Sequence, residues 1–404
     1  MNDFLLDPQH ESTPPGWQLV PLKRLMNVAS GKEVTIEVPP SDTAVPVYGS
    51  GTAPFKYTFE SISDEPSIIF GRKGTLGHPY LVEPPFWAVD TAYLATPRKG
   101  TSVQYLYYLL KCFDWQPFVT NTAKPSLVAS DIMAEKVPLP SEREQSRILH
   151  FLSRKSAEID GLIGKLGRQA ELLQRYRREL IARTVTRGLN PDAPMKDSGI
   201  DWITKAPAAW KTSSISVVTG ENKTKNIDLS EKNLLSISYG QIIRKDIDLA
   251  FGLLPASFES YQVVEPGDII LRMTDLQNDK RSLRSAIVNE HGIITSAYVG
   301  LKVRGPIISE YFAWLLRFYD LAKVFYSLGG GVRQSANYKE IGKIPILVPP
   351  KTEQQKIADF LEEKSFQIDS AIEGINRQIE LLGKYRRQVI NDAVTGKVRV
   401  GEVA

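Results

Sequence analysis

Apolar residues recur at every seventh position along two long stretches of the chain. Leu152, Ile159, Leu166, Leu173 and Leu180 form one file, and Leu361, Ile368, Ile375, Leu382 and Val389 form another. A seven-residue apolar repeat kept over many turns predicts a helix seated on another helix in a left-handed supercoil. The intervening seam positions are expected at Ile148, Lys155, Leu162, Gln169 and Tyr176, and at Ile357, Lys364, Ala371, Gln378 and Tyr385. Lys and Gln recur there in both stretches. One reading is a polar seam that fixes register at a cost in stability. The other is that the Lys stem covers apolar surface while its charge stays in water.

The ends of both stretches are punctuated. Ser141 with Glu144, and Thr352 with Gln355, read as capping boxes, and Gly188 and Gly396 as C-terminal stops. Each predicted helix holds roughly 46 residues and is roughly 69 Å long at ~1.5 Å per residue. Gly161, Gly164 and Gly167 lie three apart in the first helix. They read either as a flat strip where another helix or subunit approaches, or as a tolerated weak spot with a slight bend.

The two stretches are copies. "EQSRILHFLSRKSAEID" (Glu144–Asp160) and "EQQKIADFLEEKSFQID" (Glu353–Asp369) agree at nine of seventeen positions, with an offset of 353 − 144 = 209. In front of each copy the pattern changes to short apolar or alternating runs bounded by Gly, Pro, Asp and Asn, which predict strands and turns. "SIIFGRKGTLG" and "FWAVDTAYLATP" precede the first helix; "LLSISYGQIIRKD" and "GIITSAYVGLKV" precede the second. Thr91–Tyr93 and Ser296–Tyr298 read as the same strand. Each segment continues with an amphipathic helix (Val103–Phe113; Glu310–Tyr326) and a Pro-rich strand (Lys136–Pro140; Lys343–Pro350). The helices repeat closely and the globular parts only in outline, as when a shared scaffold carries two different recognition surfaces. The expected boundaries are a globular domain over 1–140, a long helix over 141–188, a linker and second globular domain over 189–349, and a second long helix with a tail over 350–404.

Composition changes this picture little. Of 404 residues, 42% are hydrophobic and 24% charged, which allows a sizeable core, and the net charge of +4 permits a nucleic-acid partner without demanding one. The first long helix is more basic, with eleven Lys or Arg against six Asp or Glu between Ser141 and Arg187; this excess faces DNA, a partner, or simply solvent. The single cysteine, Cys112, excludes an intrachain disulfide framework and a multi-Cys zinc site, which fits a cytoplasmic location. The N-terminus does not read as a signal peptide, and no apolar run is long enough to span a bilayer.

Catalytic motifs are absent. "GRKGTLG" (Gly71–Gly77) has the glycines of a phosphate loop in the wrong order, and the four histidines lack metal-ligand spacing. "EPPF" (Glu83–Phe86) approaches the Asp/Asn-Pro-Pro-aromatic motif of DNA amino-methyltransferases. Its Glu departs from that motif, and no glycine-rich cofactor loop accompanies it. The globular parts do offer Gly-rich loops with basic and amide side chains, which can neutralise phosphates and read base edges. The candidate DNA contacts are Tyr48, Ser50, Arg72, Lys73 and Lys124 in the first part, and Tyr239, Gln241, Arg272, Gln277, Lys280, Arg281, Arg333 and Gln334 in the second. No residue is assigned to catalysis, a cofactor or a metal.

These residues resemble the specificity (S) subunit of type I DNA restriction-modification enzymes over essentially the whole chain. The most specific elements are the duplicated "P-x-x-x-E-Q-x-x-I-x-x-F-L" leads, Pro140–Leu152 and Pro349–Leu361, with "DSGIDWITKAPAAW" (Asp197–Trp210) and "GVRQSANYKEI" (Gly331–Ile341). Thr204 stands where the family usually has Gly. The resemblance implies an α+β chain: two α/β target-recognition domains, separated by two long helices packed as an antiparallel coiled coil with internal pseudo-twofold symmetry. Each domain would read one half of a split duplex DNA target. Methyltransferase (M) and restriction (R) subunits would dock, bringing S-adenosylmethionine, ATP and Mg on those partners and none on this chain. Two other classes stay open on the residues alone, a self-contained methyltransferase or nuclease and a coiled-coil adaptor without a nucleic-acid role.

Overall fold

The computed structural model describes residues 14–245, 257–276, 283–328 and 335–400. The chain forms two compact units, Met1–Gly167 with Asn376–Ala404, and Arg168–Ile375. Each unit therefore takes part of both long helices.

The first unit opens with β1 (Gln18–Pro21), β2 (Met26–Ser30), β3 (Val45–Tyr48), β4 (Lys56–Thr58), β5 (Ser67–Gly71), β6 (Gly77–Val82), β7 (Trp87–Ala88) and β8 (Ala92–Pro97). Next come α1 (Val103–Lys111), α2 (Ala129–Ala134), β9 (Lys136–Leu139) and α3 (Glu142–Arg187). Four strands make an antiparallel sheet in the order β2-β8-β5-β6. Strand β5 reads Ser-Ile-Ile-Phe-Gly and is buried throughout, as its central place requires. Tyr105, Leu106, Leu109 and Leu110 fall on one stripe of α1 and bury it among Phe70, Tyr93 and Ala95. The Ser102 hydroxyl caps α1, accepting from the Tyr105 N–H.

The second unit contains β10 (Met195–Ile200), β11 (Ile203–Pro207), β12 (Lys211–Ser214), α4 (Ile215–Val218), β13 (Thr219–Glu221), β14 (Leu235–Ser238), β15 (Gln241–Arg244) and β16 (Gln262–Val264). It continues through β17 (Ile269–Leu271), β18 (Ser285–Ile287), β19 (Gly292–Ile294), β20 (Val299–Val303), α5 (Ser309–Leu321), α6 (Tyr338–Ile341), β21 (Pro345–Val348) and α7 (Lys351–Thr395). Its four-stranded antiparallel sheet runs β13-β20-β17-β18, the same topology as in the first unit. Strand β12 pairs with β21 as β1 pairs with β9. The duplication therefore reaches into the globular cores, and the extra strands around each sheet are where the units differ.

Within each unit the long helices run antiparallel. In the first, Ile148, Phe151 and Leu152 near the start of α3 share a core with Ile390, Ala393 and Val394 near the end of α7. In the second, Ile181 and Val185 share a core with Ile357 and Leu361. Leu152, Ile159, Leu361, Ile368 and Ile375 are buried, and Leu166, Leu173, Leu180, Leu382 and Val389 are half-buried.

The intervening seam differs from expectation. Leu162, Gln169 and Tyr176 are exposed, as are Ala371, Gln378 and Tyr385. Their neighbours Ile163, Ala170 and Arg177, and Ile372, Ile379 and Arg386, are half-buried instead. At these positions the helix turns its inner face toward the residue four along, the file that carries Ile163, Ala170, Ile372 and Ile379. Lys155 and Lys364 reach Glu158 and Gln367 on their own helices at 3.0 Å each, with the stems half-buried, so the reading of stem covering and wet charge holds.

Ser141 accepts from the Glu144 N–H at 3.3 Å. Thr352 lies inside α7, which begins at Lys351 after Pro350, so its expected capping role is replaced by the Pro350 carbonyl accepting from Glu353 and Gln354. Gly188 and Gly396 take φ of +73° and +75°, the left-handed stop expected of them. A methyl group at Gly161 or Gly167 would meet nothing within 4 Å, so neither glycine is required for packing within the chain. Among the described residues, no helix is long and apolar enough to cross a membrane.

Candidate nucleic-acid interface

The Glu-Gln pair that opens each long helix builds the seat of each globular domain. Gln145, two per cent exposed, donates to the carbonyls of Gly100 (3.0 Å) and Pro140 (3.2 Å) and accepts from the Ser102 N–H (3.0 Å). Gln354, fully buried, donates to Pro306 (2.9 Å) and Pro349 (2.7 Å) and accepts from Ile308 (2.8 Å). The amide satisfies three backbone groups at once, which neither a carboxylate nor an apolar residue can do. Tyr105 closes the other side. Its hydroxyl lies 3.2 Å from Pro138 O and 3.1 Å from Val394 O, and that of Tyr311 lies 3.3 Å from Leu347 O and 3.5 Å from Val185 O. Each domain thus grips the start of one long helix and the end of the other.

On this seat the first unit brings its candidate contacts together. Tyr48 ends β3, half-buried, with its ring centroid 5.9 Å from that of Tyr80. The Tyr80 hydroxyl donates to Gly49 O at 2.7 Å and fixes the Gly49–Gly51 turn. Burial raises the pKa of that phenol, so it remains a donor. Ser50 lies against Gly71 and Gly74, which flank Arg72 and Lys73. The Arg72 backbone N–H donates to Thr91 O at 2.9 Å, and its guanidinium lies 5.5 Å from the Tyr93 ring. The Arg72 carbonyl accepts from Leu127 at 3.0 Å, and Lys73 bridges to Ser126, bringing in the loop that carries exposed Lys124. Lys73 is exposed and pairs with Asp90 at 3.6 Å, a neighbour the sequence reading did not include.

In the second unit Tyr239 stands at the tip of the β14–β15 hairpin, 85% exposed, with Gln241 exposed beside it. Tyr239 and Gly240 have φ of +46° and +75°, the pair of positive values that suits a two-residue hairpin turn. Arg272 follows β17 as Arg72 follows β5, and both are half-buried. Gln277, Lys280, Arg281, Arg333 and Gln334 lie outside the described residues. The sequence reading missed the buried Arg284 and Asp320 and the half-buried Arg317. Arg317 and Asp320 interrupt the apolar run of α5, and that interruption was the available signal.

The model of a family described as the type I restriction modification DNA specificity domain matches residues 14–171 and 290–381. The MjaX specificity subunit of a type I restriction enzyme of Methanocaldococcus jannaschii is 25% identical over 312 residues, 73% of this chain and 68% of that one. The MjaVIII specificity subunit of the same organism is 24% identical over 313 residues, 73% and 70% of the two chains. A chain of a solved type I R-M system structure covers 96% of this chain and 100% of its own, with a TM-score of 0.66 at 14% identity. The HsdS subunit of Thermoanaerobacter tengcongensis covers 96% and 99%, with a TM-score of 0.52 at 14% identity. These two structures share the fold.

Proposed function

The chain belongs to the type I restriction modification DNA specificity family, and from that premise we propose that it reads a two-part duplex DNA target and carries the partner subunits that act on it. Each globular domain reads one half-site, and the paired helices set the distance between the halves. The carrying observation is the duplicated seat: Gln145 and Tyr105 in one unit, and Gln354 and Tyr311 in the other, fasten two unlike globular domains to the long helices in like fashion.

The reading face of the first domain is Tyr48, Ser50, Arg72, Lys73 and Lys124; that of the second is Tyr239, Gln241 and Arg272. Arg and Lys supply phosphate neutralisation, and Arg and Gln can address base edges in the major groove. Methyltransferase and restriction subunits supply the chemistry, with S-adenosylmethionine, ATP and Mg bound to them. The chain itself performs no bond-making step in this reading, and it works in the cytoplasm alongside those partners. In support, burial pushes the Cys112 thiol up to about 12, so the one cysteine is no nucleophile near neutrality.

A docking face accompanies the reading face. Leu172 and Tyr176 are 64% and 52% exposed, and their copies Leu381 and Tyr385 are 62% and 54% exposed. Identical exposed pairs on a duplicated scaffold suit two copies of one partner, the methyltransferase subunit.

The test is an exchange of Trp210–Lys343 for the corresponding domain of another specificity subunit, followed by sequencing of the methylated motif. One half-site changes and the other persists. A change in both halves overturns the modular reading.

A further inference from the structure

Helix α5 sends two charged side chains, three residues apart, into one corner of the second unit. The Arg317 guanidinium donates to Gly240 O at 2.5 Å and to Ser285 O at 3.1 Å. Asp320, one per cent exposed, accepts from the backbone N–H of Arg284. The Arg284 side chain is fully buried and donates to the carbonyls of Arg272 (3.0 Å), Thr274 (2.8 Å) and Asp275 (3.1 Å). One helix therefore holds two separate pieces of backbone: the Tyr239–Gly240 turn, and the segment 272–275 beyond β17.

Folding alone does not call for this arrangement. An apolar residue of similar volume would seat α5 on the sheet at lower desolvation cost. The hairpin is already registered by four residue pairs, from Leu235 with Arg244 to Ser238 with Gln241. Arg317 instead touches the turn itself and ties it to the start of β18, and guanidinium bonds to carbonyls are directional where apolar contacts are not. The turn is also shaped for the arginine, because a methyl group on Gly240 would overlap the guanidinium. Tyr239 takes the positive φ that the two-residue turn demands, an unfavourable conformation for a bulky residue, so a turn that loses its anchor has reason to relax.

We propose that Arg317 is a specificity-positioning residue: without touching DNA, it fixes the Tyr239–Gln241 tip relative to Arg272 and so sets which bases the second domain accepts. This rests on the reading that the hairpin tip contacts DNA. Loss of Arg317 frees the tip to shift against Arg272, so discrimination falls in one half-site, while phosphate contacts and the other domain are unaffected.

The experiment uses the full chain assembled with its methyltransferase subunits and duplexes altered one base pair at a time. Methylation of each is measured for Arg317→Met, Arg317→Lys, Gly240→Ala, Tyr239→Ala and Gln241→Ala, with melting temperature and the salt dependence of binding. Arg317→Met and Gly240→Ala are expected to lower the preference for the cognate base at least tenfold at positions of one half-site, with the other half-site and the salt slope unchanged. Arg317→Lys, which keeps one carbonyl bond, falls between. An equal fall across all duplexes, together with a lowered melting temperature, assigns Arg317 a folding role only and overturns the proposal. Altered preference in the Tyr239 and Gln241 variants, with none in those of Arg317 and Gly240, overturns the positioning role alone. No altered preference in any variant overturns the hairpin as a DNA contact and the proposal with it.

Discussion

Arg177 Nη1 lies 2.5 Å from Asp369 Oδ1, and Arg386 Nη1 lies 2.5 Å from Asp160 Oδ1. The second pair is the duplicate of the first, since 369 − 160 = 209 and 386 − 177 = 209. Each unit thus contains the same cross-helix ion pair between α3 and α7, and duplication has preserved the register of the helices along with their residues.

That relationship predicts a charge-exchange result. The side chains are between 28% and 57% exposed, so each pair contributes less than about 1 kcal/mol and serves register more than stability. The combined change R177D and R386D is expected to cost about 1 to 2 kcal/mol in urea unfolding. Adding D160R and D369R should restore at least half of it. A quadruple variant no more stable than the double would show that the pairs do not couple.

The buried glutamines predict larger effects. Truncating Gln354 strands the Pro306 and Pro349 carbonyls and the Ile308 N–H inside the protein. Q354A is expected to cost about 3 kcal/mol or more, since each of the three unsatisfied buried groups costs about 1 kcal/mol or more. Q145A should match it, because its partners are equivalent. Glu at either position adds a buried carboxylate without the amide donors, and should be worse than Ala. Denaturant midpoints of the four variants check the order.

Much of this organisation was legible before any coordinates. Periodicity places α3 and α7 to within a residue or two, because a strict heptad file admits no other regular structure. The shared sheet was not legible: Thr91–Tyr93 and Ser296–Tyr298 read as one strand, but Ala92 and Tyr93 lie in β8 while Ser296–Tyr298 form the turn before β20, since strands of three to six residues carry too little period to align. The second seam file was misplaced because it was set three residues beyond each strict heptad position, whereas the half-buried file lies four beyond. Choosing between residues three and four along requires knowing which face the partner covers. The roles of Gln145 and Arg317 were illegible for another reason: both bind backbone carbonyls from distant segments, and carbonyls leave no mark in sequence. Tyr48, Ser50, Arg72 and Lys73 stand out in the sequence because glycines crowd around them, and Ser50 lies against Gly71 and Gly74, which flank Arg72 and Lys73.

His291 predicts a pH response in the second unit. Its Nε2 lies 2.8 Å from Glu231 and its Nδ1 2.9 Å from Glu265. Donation from both nitrogens requires the imidazolium, so the two carboxylates favour that form. The hydrogen bond to Glu265 raises its pKa above the usual 6.5, against the opposing effect of burial and with further attraction from both carboxylates. A raised histidine pKa contributes stability that is full below the unfolded value and is lost as pH rises through the folded value. The melting temperature should therefore fall from about pH 6 toward about pH 9 by more in the wild type than in H291N. Salt should shrink the difference, because the imidazole is nearly half exposed. Parallel curves for the two proteins would remove His291 from the pH response.

The duplicated outer pairs predict a stoichiometry. Leu172 and Tyr176 are four residues apart and share one edge of α3, as Leu381 and Tyr385 share one edge of α7. None of the four is needed inside the units, since each is more than half exposed. Changing Leu172 and Tyr176 to Lys should leave melting nearly unchanged, because surface substitutions away from packed features cost within about 0.5 kcal/mol. The same change should reduce the methyltransferase subunits bound per chain from two to one, measured as the mass of the assembled complex. Changing Leu381 and Tyr385 should do likewise, and all four changes together should leave the chain without that partner. A complex of unchanged mass in the fourfold variant would place methyltransferase docking elsewhere on the chain. Loss of both copies from either pair alone would mean that the two sites do not act independently, contrary to what a duplicated scaffold implies.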